Sequence, residues 1–552
     1  MAIYYLTTDK GIELHNEILD TIRKLPGNNI FYMRLKAIEQ EYIISWNPQK
    51  HFNYDEILDN TLDKAEKLII DYQNDKEIQE LNESRKIIIL DALMGTGKST
   101  YLIDEIINKQ IIHIDESIKE LADCGIYTDE DLKNYSIATK NFICIVPLLD
   151  ECKRYKEKIA NSEIFEPKAT KGRGRKREHL KELLKQKKNI IATHALIETI
   201  DDDILELLQV LNYTLIIDEE LKVLEQYKGI TSKDLEILKK NKLITKDDKG
   251  FLIWNPKDDN RQFRYDETKR LCNLNCLMEC EGTNQNTSIV MWNFPYKFYK
   301  FFRYFEQIYI ATYMWNGSIQ KAYFDLHNIH YQHKTLINHQ LVDYDKSLES
   351  EKRKEIKSLI NIFDEENKTA YNNIGKPLYT SKKGRPTHPL SENWYEKNYK
   401  EYVNDKDNEK ESTNLIKILK LYLYHIFHNE YNAKQSTIMW TCFKGNKKGT
   451  DRYRIALSGK GYTKSFVSCN CRGTNQYNEC YNLAYLIDMV CNPNIIRFFQ
   501  QHNIEIDEDL FSLSFLLQWI WRSRIRNGKN INIYIPSERM RRLLQDWLNN
   551  KK

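Results

Sequence analysis

Residues 86–100 read Lys-Ile-Ile-Ile-Leu-Asp-Ala-Leu-Met-Gly-Thr-Gly-Lys-Ser-Thr, and this stretch decides the fold. The apolar run Ile87–Leu90 predicts a buried parallel strand, because a strand covered on both faces carries continuous apolar residues and no polar alternation. It runs into a glycine loop closing on Gly97-Lys98-Ser99, and Tyr101, Leu102, Ile106 and Ile107 follow at helical spacing. Strand, loop and helix in this order are what a nucleoside triphosphate site requires. Gly95 and Gly97 let the backbone turn so that successive N–H groups face phosphates. Lys98 can reach the β- and γ-phosphates, and the Ser99 hydroxyl can hold Mg²⁺. Thr96 and Thr100 complete the candidate ATP-binding set. Ala92 stands where the first glycine of such loops usually sits, and alanine is small enough for the turn.

Outward from this loop, the next informative stretch is Thr214-Leu-Ile-Ile-Asp-Glu-Glu220. A buried strand ending in acids places Asp218 as partner of the metal and Glu219 as base or orienter of an attacking water. Further strand candidates are Phe142–Val146, Asn189–Ala192 and Gln307–Ala311 in the first half, then Thr437–Phe443, Ser465–Cys469 and Ile531–Ile535 in the second. Strands alternating with helical stretches predict doubly wound parallel sheets. At 552 residues the chain exceeds one compact domain. The expected architecture is α/β, with an accessory region over 1–60, a nucleotide-binding domain over 61–330 and a second sheet domain over 331–552. The breaker-rich, charged segment 375–413 is expected as an exposed insertion, since such composition buries little apolar surface.

A composition of 41% hydrophobic and 29% charged residues describes a globular protein, and no run of eighteen apolar residues occurs. The N-terminus lacks the basic-then-apolar layout of a signal peptide, so a cytoplasmic location, or a host's cytoplasm, is expected with no membrane partner. A net charge of +4 is too small to identify a polyanion partner, so any nucleic-acid footprint must be local. Cys272, Cys276 and Cys280 recur every four residues and could stack on one helix face, but structural zinc prefers Cys-x-x-Cys pairs, and core thiols are the expectation. His327, His330 and His333 lack supporting carboxylates in the sequence and read as surface histidines.

Phe142-Ile-Cys-Ile-Val-Pro147-Leu and Asn189-Ile-Ile-Ala-Thr193-His194-Ala-Leu-Ile197 bring a family into view. Taken with the loop and the acidic strand end, the chain resembles superfamily-two helicases. Those two segments are similar to motifs Ia and Ib, which implies that Pro147, Thr193 and His194 hold a sugar–phosphate backbone. Thr437–Phe443 resembles motif IV. Asn470-Cys-Arg472-Gly-Thr474-Asn475 resembles motif V, which implies nucleic-acid contacts at Arg472 and Thr474. Gln518-Trp-Ile-Trp-Arg522-Ser-Arg-Ile-Arg526 resembles motif VI. Arg522 and Arg526 share one face if the segment is helical, and two guanidiniums there suit a polyphosphate.

The resemblance is strongest to phage and viral members, with origin-binding helicases as relatives by the loop, and covers about 85–550. It implies two RecA-like domains, ATP and Mg²⁺ as cofactors, and Lys98, Ser99, Asp218 and Glu219 facing Gln518, Arg522 and Arg526 across a cleft. DNA, ahead of RNA, and replication proteins are the partners it implies. Motif III appears only as Ala311-Thr312-Tyr313, motif VI lacks the glycine before its arginine, and Glu219-Glu220 fits no familiar acid box. Between motifs Ia and Ib lies a basic patch of Lys168, Lys171, Arg173, Arg175, Lys176 and Arg177, a candidate phosphate contact. Two other classes share the ATP site: an ATP-switched origin-binding or scaffold protein, and a packaging terminase. The second would need a C-terminal acidic trio that the sequence does not offer.

Overall fold

The computed structural model describes residues 79–84, 86–108, 141–159, 163–168, 175–211, 213–247, 250–255, 264–282, 288–293, 298–364, 366, 369–377, 388–404, 414–447, 449–470 and 476–551. The region expected over 1–60 lies outside the described residues, as do Lys171, Arg173, Arg472 and Thr474.

The first sheet begins with β1 (Ile87–Asp91), β2 (Asn141–Val146), β3 (Ile164–Phe165), β4 (Asn189–Thr193) and β5 (Tyr213–Asp218). After β5 the chain leaves this sheet for a small antiparallel module of β6 (Leu224–Gln226), β7 (Ile244–Lys246), β8 (Leu252–Trp254), β9 (Leu277–Glu281) and β10 (Ser288–Asn293). It returns through β11 (Phe305–Thr312), β12 (Gln332–Ile337) and β13 (Gln340–Asp343). The eight-stranded order is β13-β12-β1-β11-β5-β2-β4-β3, parallel throughout except for the β12–β13 hairpin. The expected boundary at 330 therefore falls short, because β12 and β13 still belong to this sheet. Their Gln-His-Lys-Thr and Gln-Leu-Val-Asp sequences lack the apolar run of a central strand, as suits the edge strand β13 and its neighbour β12.

The second sheet is four-stranded and parallel, in the order β14-β19-β18-β15. Its strands are β14 (Ile360–Ile362), β15 (Ile438–Thr441), β18 (Asn482–Tyr485) and β19 (Ile531–Tyr534), with a short β16–β17 ribbon (Asn446–Lys447, Thr450–Asp451) set apart. Successive side chains point to opposite faces. Met439, Leu483, Tyr485 and Ile533 join one core, and Trp440, Ala484 and Tyr534 join the other.

The helices used below are α1 (Lys98–Tyr101), α2 (Leu149–Lys158), α3 (Arg175–Lys185), α4 (Ser232–Lys240), α5 (Asp266–Asn273), α6 (Ser350–Leu359), α7 (Glu392–Asn404), α8 (Leu415–His425), α9 (Pro493–Gln501), α10 (Glu508–Ile520) and α11 (Glu538–Leu548). Many start on side-chain caps: Thr231 and Asp234 form a reciprocal capping box on α4, Asn414 caps α8, and Asp507 and Ser537 cap α10 and α11. Residues of α10 and α11 cover one face of the second sheet, and residues of α7 and α8 cover the other.

Other expectations need correction too. Ser465–Cys469 is not a strand: Phe466 makes one isolated bridge to Trp440, and β18, a fully buried run of four residues, takes the place beside β15. The segment 375–413 is not wholly an exposed insertion. Its aromatic residues recur at helical spacing and give α7 a buried face, with Tyr395 in the core and its hydroxyl donating to Leu486 O at 2.7 Å. The three cysteines do not share a helix: Cys272 lies in the last turn of α5, Cys276 follows in the turn and Cys280 sits on β9. Cys272 and Cys276 are buried in the module's own core, and burial pushes both thiols up to about 12. His333 is not a surface histidine, since its Nε2 lies 3.1 Å from Asp91 Oδ2 and its ring stacks on Tyr344 at 4.0 Å.

Candidate functional site

Register gathers the candidates at one edge of the first sheet. Asp91 pairs with Thr312, Ala311 with Asp218, Ile145 with Ile217 and Val146 with Thr193. The loop after β1, the acids at the end of β5, Pro147 after β2 and Thr193-His194 after β4 therefore lie together at the carboxyl ends of parallel strands, where open α/β sheets leave a crevice.

Gly95 and Gly97 take φ of 82° and 90°, the left-handed region where a side chain would be strained. Lys98 opens α1, and the helix continues as a π-helical stretch over Leu102–Asn108. The Lys98 ammonium donates to the Ala92 carbonyl, and Thr96 Oγ1 donates to Leu93 O at 2.8 Å. Burial pulls the Lys98 pKa down, while the charges of Glu219, Asp218 and Asp91 pull it back up. Thr100 is half-buried on α1.

The Ser99 hydroxyl donates to Asp218 Oδ2 at 3.1 Å, and His194 Nε2 lies 2.9 Å from the Asp218 carbonyl. Burial, then the neighbouring Glu219, raises the Asp218 carboxyl, and the Tyr155 hydrogen bond and the Arg154 charge oppose that rise. Glu219 follows in a left-handed conformation, φ 69°, that costs a non-glycine residue energy. Its N–H donates to Ala311 O at 2.8 Å, which fixes the turn.

The second sheet's elements close over this edge. Gln518 Nε2 on α10 donates to Glu219 Oε2 at 3.5 Å. One turn later a Cβ built on Gly95 would lie 3.6 Å from Trp521 Nε1, so the indole sits against the loop. Arg522 and Arg526 do not share an α-helical face: α10 ends at Ile520, the Ser523 hydroxyl turns back to Ile520 O at 2.7 Å, and Arg524–Asn527 form a 3₁₀ turn. Burial, and then the charges of Arg522 and Arg154, lower the Arg526 pKa. Arg522 Nε is buried without a hydrogen-bond partner.

Sequence reading missed Glu151, Arg154 and Tyr155 on α2. Arg154 pairs with the buried Glu151 and brings a nitrogen within 3.8 Å of Asp218 Oδ2, and Tyr155 donates to the same oxygen at 2.8 Å. The Glu-x-x-Arg spacing was a signal for the first pair, and Tyr155 offered none. Pro147 is half-buried beside Leu148 and Leu149, which are exposed. Thr193 stands at the cap of the 3₁₀ turn His194–Thr199, and Arg175 begins α3. Hard oxygen donors at Ser99 and Asp218, with the Lys98 ammonium under the charge of Asp218, fit a magnesium-bound triphosphate.

Two largely parallel sheets, with Gln518 and Trp521 beside the second meeting Glu219 and the glycine loop at the end of the first, define a two-sheet α/β protein. The chain belongs to the YonV family. It is 32% identical over 479 residues to the SPbeta prophage-derived uncharacterized protein YonV of Bacillus subtilis (strain 168), spanning 85% of this chain and all of that one. Residues 354–548 match the YonV C-terminal Rossmann-like domain, and 224–292 match the YonV middle domain, which is the antiparallel module. A solved chain, XPD in its apo form, aligns over 86% of this chain and 98% of its own length, at 13% identity and a TM-score of 0.41.

Proposed function

We propose that this chain is an ATP-dependent nucleic-acid helicase or translocase, with two RecA-like lobes and ATP bound at the seam between them. The observation that carries this reading is the convergence of side chains from both lobes. Lys98, Ser99, Asp218 and Glu219 come from the first, where Ser99 bonds Asp218, and from the second Gln518 reaches Glu219 and Trp521 lies against Gly95 of the glycine loop. In the proposed complex Lys98 and the loop amides hold the β- and γ-phosphates, and Ser99 and Asp218 hold the Mg²⁺ that neutralises their charge. Glu219 orients the attacking water, and Gln518 reports the state of Glu219 to α10. Arg522 and Arg526 stabilise charge that develops during transfer.

A site shared between lobes couples chemistry to motion, because the contacts to each phosphate come from bodies that can separate. Pro147, Thr193 and His194 stand one and two strands along the same edge, where a bound strand would feel that motion. DNA of a replicating phage is the proposed substrate. The test is ATPase rate without polymer and with single-stranded DNA, duplex DNA and RNA in turn, beside a strand-displacement assay. Stimulation by DNA with displacement is expected. Stimulation without displacement would favour an ATP-switched binding protein, and no ATPase activity under any condition would overturn the reading.

A further inference from the structure

The buried hydroxyl of Tyr155 is the feature of this site that no motif supplies. Tyr155 is fully buried on α2, and its hydroxyl donates to Asp218 Oδ2 at 2.8 Å. The Ser99 hydroxyl reaches the same carboxylate oxygen at 3.1 Å. Three oxygens, two of them the pair suited to hold a hard cation, thus share one small volume. A buried phenol does need a partner, and a backbone carbonyl would satisfy it. Here the partner is instead an almost wholly buried carboxylate, whose same Oδ2 lies 3.8 Å from an Arg154 nitrogen and whose backbone carbonyl is held by His194 at 2.9 Å.

We propose that Tyr155 is a positioning residue for the metal-bound triphosphate. Its hydroxyl fixes the rotation of the Asp218 carboxylate so that Oδ2 faces Ser99 before any ligand arrives. A carboxylate with a neighbouring hydroxyl donor has its orientation set by that donor, and outer partners of this kind tune metal affinity without touching the metal. This inference rests on the reading of the seam as a magnesium–ATP site.

The test is equilibrium binding of a fluorescent ATP analogue, in Mg²⁺ and in EDTA, to wild type and to Tyr155→Phe, which keeps the ring and deletes the donor. Binding in EDTA should be the same for both proteins. The gain in affinity on adding Mg²⁺ should be smaller in the variant by about tenfold. A merely structural role would weaken binding equally in both conditions. Adding Tyr155→Phe to Ser99→Ala should then have no further effect on the Mg²⁺ gain, because the hydroxyl acts through the Ser99–Asp218 pair. An equal gain in wild type and Tyr155→Phe would overturn this inference while leaving the ATP reading intact. A wild type that gains nothing from Mg²⁺ would overturn both.

Discussion

Trp521 lies against Gly95: a Cβ on that glycine would come within 3.6 Å of the indole nitrogen. The ring is 6% exposed and meets Trp547 edge to face at 6.0 Å. Trp547 donates to the Tyr313 hydroxyl at 3.0 Å, and Tyr313 donates to Glu349 at 2.9 Å. Arg353 on α6 pairs with that carboxylate at 2.8 Å and lies over the Trp547 ring at 5.1 Å. One buried chain of contacts therefore runs from the glycine loop to the segment that joins the two sheets.

Trp521→Ala should destabilise the protein by about 3–5 kcal/mol, the usual cost of deleting a buried aromatic ring, and Trp521→Phe by much less. Urea unfolding followed by circular dichroism measures both. An alanine variant with an unshifted midpoint would show that the ring is not packed between Gly95 and Trp547 in solution.

Lys98→Ala should abolish ATP hydrolysis by removing the contact to the β- and γ-phosphates, and Glu219→Gln should keep ATP binding while stalling turnover. Phosphate release and filter binding separate the two effects. Near-normal hydrolysis by purified Lys98→Ala would end the phosphate-loop reading.

Alanine at Arg522 or Arg526 should slow hydrolysis far more than it weakens nucleotide binding. Arginines that stabilise transferring phosphoryl groups contribute about 10³–10⁵ in rate. Single-turnover rates at saturating ATP make the distinction. Weakened binding with unchanged turnover would mark both as ground-state contacts.

Lys86 supplies a test at alkaline pH. Burial, then the nearby Arg303 charge, lowers its pKa from 10.5 to about 8, while its ammonium donates to Arg303 O at 2.7 Å. Between pH 8 and 10.5 the unfolded chain holds this proton more firmly than the folded one, so this group's contribution to stability rises with pH. The melting temperature of wild type should therefore climb relative to Lys86→Met across that window and hold a constant offset below it. A difference that stays flat through the window would show that Lys86 is not perturbed.

The apolar central strands were legible because burial on both faces leaves its mark in composition: Ile87–Leu90, Phe142–Val146 and Thr214–Ile217 all fall within strands of the first sheet. The glycine loop and the acids at the end of β5 stood out for a related reason, since they pair particular residue types with fixed spacing, and the structure brings Ser99 and Asp218 within 3.1 Å. What escaped was set by tertiary contact. Tyr155 looks like any core aromatic until register brings α2 beside the end of β5. The helix carrying Arg522 was expected to continue, but the Ser523 hydroxyl bonds the Ile520 carbonyl and the chain turns. The middle module hid because its strands are only three to six residues long, too brief for alternation to rise above noise.

That module also touches the second lobe. Glu281 on β9 pairs with Arg497 on α9 at 2.8 Å, and Gln226 on β6 accepts from Asn494 at 3.0 Å. These contacts are polar and partly solvated, so each holds by a kcal/mol or so at most, about what exposed pairs contribute. The aromatic chain through Trp521 and Trp547 is dry and far costlier to part. Of the two sets of contacts, the polar one at Glu281 is therefore the cheaper to break, and the aromatic one at Trp547 the more costly.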